Sequence, residues 1–366
     1  MAWPLKEVKQ LACSDYSIAW ICALPLEKVA ARNMLDELHK TPPLPDIDSN
    51  IYTCGRIHDH NIVIVCQSDM GSVAAAVVAN QLVNTFQRLR CGLLVGIAGG
   101  VPDNRDIRLG DVVISRPDGR SGGVVAHDRG RWTLAGFEST PYLNGVPQRL
   151  QNVFNELESL LMDHENRIMD YIQAATSRNP LFEQFARPEQ EDYLFVKGYG
   201  HLQRDEGAAP CALCSENKSM LVSRPPRGGS FPTVHFGGVA SGNQLVNDGL
   251  VRSQIAERHP GVFALEMEAA GLMNVFGCAT IRGICDYADS HKNNCWQNYA
   301  AAVAAAVTKE ILRIIPGTAK RSKPDASNAL SVSGSELSHA AVPRAFIGRD
   351  ELRWIEQVFT PNSSTQ

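Results

Sequence analysis

The run "CGLLVGIAGGV", from Cys91 to Val101, is apolar without alternation and ends on glycines. A strand that alternates needs one covered face, whereas a strand apolar throughout needs cover on both. Further apolar runs are "YSIAWICAL" at 16–24, "LGDVVISRP" at 109–117, "TVHFGGVAS" at 233–241 and "TIRGICDYAD" at 280–289. Between them lie helical patterns, among them "LEKVAARNMLDEL", "GSVAAAVVANQLVNTF" and "WQNYAAAVAAAVTKEILRII". Strands of this kind alternating with helices place the chain in the α/β class, with a sheet protected on both faces. One hairpin is expected as well, "IYTCGRI" and "NIVIVCQ" around the polar "HDH".

The pattern breaks from about Leu150 to Arg227. There an amphipathic stretch, "LQNVFNELESLLMDHENRIMDYIQ", runs into polar, proline-containing segments and "PCALC". We read an insertion, about 150–230, within a domain spanning 1–316. From Gly317 to about Arg344 the residues turn to Ser, Ala, Lys and Pro, the composition of a flexible linker. The tail, 345–366, starts "FIGRDELRWIEQVF" and has too few apolar residues for a core.

A net charge of -4 argues against a general nucleic-acid binder. No apolar run approaches the roughly 20 residues of a membrane helix, so no membrane partner is expected. The amino terminus, "MAWPLKEVKQLACSDYS", lacks the basic end and apolar core of a signal peptide. Ten cysteines at irregular spacing in a chain of 366 residues do not make a secreted disulfide scaffold. Together these point to the cytosol. Cys211 and Cys214 form a CxxC without a second pair at finger spacing; His201 and His235 are the nearest candidates to complete a zinc site, and no metal is expected.

Chemistry is concentrated where apolar runs meet acids. In "FALEMEAAGL" Glu266 and Glu268 stand at a strand-to-helix join. With a helix beginning near Glu266, residues two apart lie roughly 200° around its axis, so the two carboxylates serve different ends. Glu266 reads as an acid favoured by the helix dipole; Glu268, beside apolar Leu265 and Leu272, reads as functional. Asp286 ends an apolar strand, the position at which open α/β sheets bind ligands. Taken alone, an aspartate there is more often a cap. Glu27 lies in the first turn of a helix, where an acid needs no further reason.

The ordered set "IAWICALPLEK", "VGIAGGV", "LGDVVIS", "VASGNQLV", "ALEMEAAG" and "ICDYAD" resembles the purine nucleoside phosphorylase/uridine phosphorylase superfamily, and within it the nucleosidases that hydrolyse methylthioadenosine and S-adenosylhomocysteine. The resemblance runs from Tyr16 to about Ile315 apart from the insertion. It implies a three-layer αβα fold around a mixed sheet, a purine substrate and no cofactor. Glu268 then matches the acceptor of both ribose hydroxyls, with Met267 packed under the sugar. Asp286 matches the acid that protonates purine N7, and Glu27 the base that activates water. Leu245 and Val246 match base-pocket positions, Gly99 belongs to the glycine turn at the substrate, and Trp296 falls on a position lining the 5′ end. The six-subunit phosphorylases carry an arginine and a serine where this chain has Leu94 and Ile97, so hydrolysis is implied over phosphorolysis.

Arg116, Arg120, Arg129 and Arg131 crowd one glycine-rich loop. They read either as a cradle for nucleotide phosphates or as a solvated loop paired with Asp118 and Asp128. "RAFIGRDEL" resembles the segment that introduces the ATPase module of NLR-like immune receptors, and the chain as a whole resembles their fungal amino-terminal effector domains. That likeness implies an attached or partner ATPase module and an adenine nucleotide, ATP or dATP, as substrate. A non-catalytic nucleotide sensor is the rival from another class. Superfamily pockets form at subunit contacts, so a homo-oligomer is expected.

Overall fold

The computed structural model describes residues 8–134, 136–139, 143–202, 211–228 and 232–317. The linker and tail assigned above, from 318 onward, lie outside the described residues. Twelve strands are described: β1 (Ile18–Cys22), β2 (Glu37–His39), β3 (Tyr52–Ile57), β4 (His60–Cys66), β5 (Cys91–Gly100), β6 (Val112–Ser115), β7 (Val124–Ala126), β8 (Gly130–Thr133), β9 (Gly136–Ser139), β10 (Val234–Ser241), β11 (Val262–Glu266) and β12 (Cys278–Asp286). The helices are α1 (Pro25–Met34), α2 (Ser72–Thr85), α3 (Gln148–Met162), α4 (Ile168–Arg178), α5 (Ala212–Glu216), α6 (Gly249–Arg258), α7 (Ala269–Leu272) and α8 (Gln297–Ile314).

The sheet order is β11-β10-β6-β12-β5-β1-β4-β3-β2, with β7 added on β10. Strands β1, β4, β5 and β12 run parallel, whereas β12 meets β6 antiparallel and β3 meets both β4 and β2 antiparallel, so the sheet is mixed. The central strands are buried on both faces: every residue of β1 and of β12 is buried. That is what their unbroken apolar runs require.

Strand β5 has ten residues and two jobs. Its first half pairs with β1 and nearly its whole length, Gly92 to Gly99, with β12; its last two residues, Gly99 and Gly100, also pair antiparallel with Leu265 and Ala264 of β11. That last pairing joins β11 back to β5 and closes β11, β10, β6, β12 and β5 into a ring. The end of β11 is thereby brought beside the end of β12. The hairpin expected at "HDH" is β3–β4, paired from Tyr52↔Val65 to Ile57↔His60.

Helix α8 packs against β12, β5, α1, α3 and α4, and its side chains from Tyr299 to Leu312 are all buried. Its internal charges have partners: Glu310 accepts from Tyr171 Oη at 2.9 Å, and Lys309 donates to the Met34 carbonyl at 2.7 Å. Helices α3 and α4 contribute Leu150, Phe154, Leu157, Ile168 and Ile172 to the main core. The first part of the expected insertion is therefore built into the domain rather than set upon it. No helix among the described residues is long and apolar enough to cross a membrane.

Candidate active site

Four carboxylates and two cations line one cavity of about 580 Å³: Glu27, Glu266, Glu268 and Asp286, with Arg282 and Lys292. Apolar side chains of Leu24, Met70, Ile97, Leu245, Val246 and Met267 complete much of the wall. Burying this many charges together is tolerated only where each finds a partner.

Glu27 occupies the third position of α1, immediately after Pro25 and Leu26. Its Oε2 accepts from the backbone N–H groups of Ala23 (2.7 Å) and Leu24 (2.9 Å), which caps the helix. Its Oε1 reaches across to the Ile97 N–H of β5 at 2.8 Å. The approach depends on Gly96, because a Cβ there would overlap the Glu27 carboxylate. Burial pushes the Glu27 carboxyl above its ordinary range, against the opposing pull of Arg282 and of these backbone donors.

The two glutamates of "EMEA" divide as the sequence suggested, though by a different geometry. No helix begins at Glu266; it ends β11, and Glu268 is the residue before the single turn α7. Glu266 accepts from the backbone N–H groups of Glu268 (3.1 Å) and Ala269 (3.1 and 3.2 Å) and pairs with Arg282 Nη2. It thus holds the turn that presents Glu268. Glu268 Oε1 accepts from the Gly71 N–H at 3.2 Å, and its Oε2 lies 3.1 Å from Arg282 Nη2. Burial raises the Glu268 carboxyl, with Arg282 opposing and Glu266 adding to the rise. Burial also works against charge on Arg282, but Glu266, Glu268 and Glu27 outweigh it and keep the guanidinium firmly protonated.

Asp286 is aimed by an irregularity. The β12–β5 register shifts between Ile284 and Asp286, so Asp286 falls opposite Gly99. A Cβ on Gly99 would come within 2.9 Å of the Ala288 Cβ and 3.0 Å of Asp286 Oδ1. Glycine is therefore what lets the acid in. Asp286 Oδ1 accepts from the Ala288 N–H at 2.8 Å; its Oδ2 faces Lys292 Nζ at 3.2 Å and the Cys285 thiol at 3.2 Å. Burial lifts Cys285 well above the usual thiol range, so it remains a neutral S–H.

The cavity thus brings together Glu27, Gly99, Leu245, Val246, Met267, Glu268 and Asp286. Trp296 is a correction. It is 1% exposed, packs edge-on to Tyr299 with ring centroids 5.9 Å apart, and belongs to the main core; its neighbours Asn294 and Gln297 line the cavity instead. At the start of α8 the large indole fills the layer between helix and sheet.

The arginine loop is the second correction, since none of its four guanidinium groups lines the cavity. Arg116 pairs with Glu158 at 2.6 Å and lies over Phe236, and Arg131 pairs with Glu138 at 2.9 Å. Arg129 is exposed. Arg120 borders a separate cavity of about 530 Å³ with Arg258 and His259, which holds none of the four clustered carboxylates. Nearer carboxylates have taken two of the loop's arginines.

Three residues at the cavity were not singled out from sequence. Arg282 had a signal, a charge inside the apolar "TIRGICD". Lys292 sits in a loop and had none. His127 lines the wall against Gly242, and burial lowers its pKa, so it is a neutral imidazole at pH 7. Among the described residues no cluster of three or more His, Cys, Asp or Glu is arranged to hold a metal. His235 instead pairs with Asp111 at 2.9 Å, and Cys211 and Cys214 pack with Phe195.

The sequence pattern of the phosphorylase superfamily matches residues 17–315. A nucleotide-binding leucine-rich repeat (NLR)-like protein of Hyaloscypha variabilis is 40% identical over 356 residues, which is 96% of this chain and 34% of that protein. The chain spans about a third of the length of that relative. Among solved structures, 5′-methylthioadenosine/S-adenosylhomocysteine nucleosidase from Neisseria meningitidis is similar with a TM-score of 0.51 at 19% identity, over 81% of this chain and 98% of that one. Futalosine hydrolase of Helicobacter pylori has a TM-score of 0.50 at 16% identity, over 82% and 98%. At these identities the shared property is the fold.

Proposed function

The chain belongs to the phosphorylase superfamily, and from that premise we propose that it is a purine N-ribosyl hydrolase, releasing free adenine from an adenine nucleoside or nucleotide. The observation that carries the reading is the convergence of Glu27, Glu268 and Asp286, from three separate parts of the chain, on one cavity.

Cleavage of an N-glycosidic bond leaves positive charge on the sugar and negative charge on the departing base. Glu268 accepts hydrogen bonds from the ribose hydroxyls and offsets the sugar's charge, with Met267 beneath the ring. Glu27 removes a proton from water as the water oxygen bonds to C1′. The C1′–N9 bond breaks, and Asp286 delivers a proton to N7 so that adenine leaves neutral. Lys292, 3.2 Å from Asp286 Oδ2, is placed to orient that carboxyl. A carboxyl raised by burial suits a base at Glu27, because it holds a proton better than an exposed carboxylate.

Water is favoured over phosphate as the acceptor. A phosphate dianion needs a free cation or hydroxyl donor, yet Arg282 is already shared by Glu266 and Glu268, and Leu94 is buried in β5. Within adenine compounds we favour ATP or dATP ahead of methylthioadenosine, and a role as an immune effector. Both rest on the resemblance to NLR-like effector domains; the arginine loop no longer supports them. Assembly as a homo-oligomer belongs to the same proposal.

The test is to incubate purified protein with adenosine, methylthioadenosine, AMP, ATP and dATP, with and without phosphate, and separate the products. Free adenine in phosphate-free buffer is expected. Release that requires phosphate and yields a sugar 1-phosphate would make the protein a phosphorylase. Binding without release would make it a sensor.

A further inference from the structure

The segment Asp286–Lys292 faces two ways. Asp286 and Lys292 line the cavity, whereas Tyr287, Ser290 and His291 turn toward polypeptide between 190 and 224. Tyr287 is 3% exposed; its Oη donates to Asp192 Oδ1 at 2.6 Å and accepts from Arg224 Nη1 at 2.7 Å. Arg224 closes the triangle, with Nη2 3.1 Å from Asp192 Oδ1 and 2.7 Å from the Asp192 carbonyl, and its guanidinium lies over the Tyr287 ring. Burial pushes the Tyr287 phenol well above its ordinary range, which keeps it a hydroxyl able to donate.

Further ties follow along the same stretch. The Phe195 ring stacks on His291 at 3.9 Å with planes 19° apart, and the Cys211 thiol points to the His291 carbonyl at 3.6 Å. The His201 N–H donates to Ser290 Oγ at 3.1 Å. From another side, Arg252 Nη1 donates to the Tyr287 carbonyl at 2.8 Å. Between these anchors Ala288 adopts a left-handed backbone, φ +49°, which a non-glycine residue holds only when its surroundings enforce it.

An arginine–carboxylate–phenol triangle with a buried phenol and two charged side chains only 14% exposed is costly to desolvate, and it lines neither the catalytic cavity nor the second one. Its effect is on the backbone it grips. We infer that the described residues 190–202 and 211–224 buttress the acid segment, and that Asp192, Arg224 and Phe195 are positioning residues that hold Asp286 and Lys292 toward the departing base. Tyr287 adjoins Asp286 in the chain, so outward placement of the phenol fixes inward placement of the carboxylate. The inference rests on the hydrolase reading above.

Three full-length variants test it: Tyr287→Phe, which removes one oxygen without changing shape, Asp192→Asn and Asp192→Glu. Turnover, KM, melting temperature and amide exchange across 286–293 are measured on each. Tyr287→Phe and Asp192→Asn should lower kcat roughly 10- to 100-fold, the scale of a misplaced reacting group. KM should hold, exchange across 286–293 should quicken, and Asp192→Glu should recover part of the lost kcat. The melting temperature should hold in Tyr287→Phe and fall in Asp192→Asn, which leaves Arg224 without its carboxylate, with both variants folded at the assay temperature. An intact kcat despite faster exchange overturns the inference, as does a rise in KM alone or a loss of kcat that tracks loss of folded protein. If the wild type releases no base from any purine compound, it is the hydrolase reading that fails. The buttress is then judged on exchange, and unchanged exchange in Tyr287→Phe rejects it.

Discussion

Two charged regions of this molecule look equally purposeful in the sequence and fare differently in space. The acids Glu27, Glu268 and Asp286 lie far apart along the chain and meet in one cavity; the arginines 116, 120, 129 and 131 are close in sequence and scatter. The acids sit at the ends of buried strands or in the first turn of a helix, where backbone N–H groups and missing Cβ atoms fix each carboxylate. The arginines sit on long side chains in an exposed loop and take the nearest carboxylate. Convergence is thus a property of rigid attachment, and proximity in sequence does not substitute for it.

The sharpest way to break the comparison is at Asp286. Asp286→Asn keeps the shape and the Ala288 contact but removes the acid, and should lower kcat roughly 10²–10⁴-fold. Steady-state adenine release checks it, and an unreduced rate would reduce Asp286 to a cap. Next in size is Arg282→Met. Removing the guanidinium leaves Glu266 and Glu268 facing each other in the interior, so stability should drop by about 3–5 kcal/mol in denaturant melts.

A third prediction uses pH. The Glu27 carboxyl is raised in the folded protein above the ordinary glutamate value of 4.5. Its proton is held more tightly in the folded state than in the unfolded one, so its stabilising contribution is complete below 4.5 and disappears as pH rises through the folded value. Glu27→Gln sets an amide NH2 against a backbone donor and so carries a constant cost, but the advantage of wild type over that variant in melting temperature should shrink as pH rises through the folded value. Wild-type kcat/KM should move the other way, falling on acidification with a midpoint above 4.5, because the base must be ionised. A midpoint at or below 4.5 contradicts the assignment.

The smallest effect belongs to the loop. Changing Arg129 and Arg131 together to Ala should alter hydrolysis of ATP and of adenosine by no more than about twofold, as expected of surface positions. A selective loss on ATP would restore the phosphate-cradle reading and show that the exposed hairpin reaches the substrate after all.

Much of the sheet was readable because burial on both faces leaves a composition that nothing else requires: β1, β5, β6 and β10 lie within the apolar runs, and β12 overlaps one from Thr280 on. The short elements were not. β2, β7 and the β8–β9 hairpin have three or four residues each, too few for a period to show. Around the site, the glutamates stood out because acids are conspicuous at apolar joins. Trp296 was placed at the cavity by position alone, and position cannot tell a residue lining a wall from one filling the layer behind it. Lys292 carries no such contrast in "DSHKNN". Its pairing with Asp286 depends on the turn at Ala288 and on the grip of Asp192, Phe195 and Arg224, both invisible to local pattern.

The strand order has a consequence for how the chain is made. β12 lies between β5 and β6, yet it is translated more than 150 residues after either. While the ribosome works through that interval, at roughly 5–20 residues per second, the two earlier strands have no partner at the gap they must share. Their facing edges are apolar and unpaired for that time, the condition in which strands join the wrong neighbour. Completion waits for the last described strand to enter the middle of the sheet and for α8 to close over it. The acid that β12 carries at its end is therefore absent until the sheet itself is nearly finished, so the nascent chain holds no assembled centre before that point.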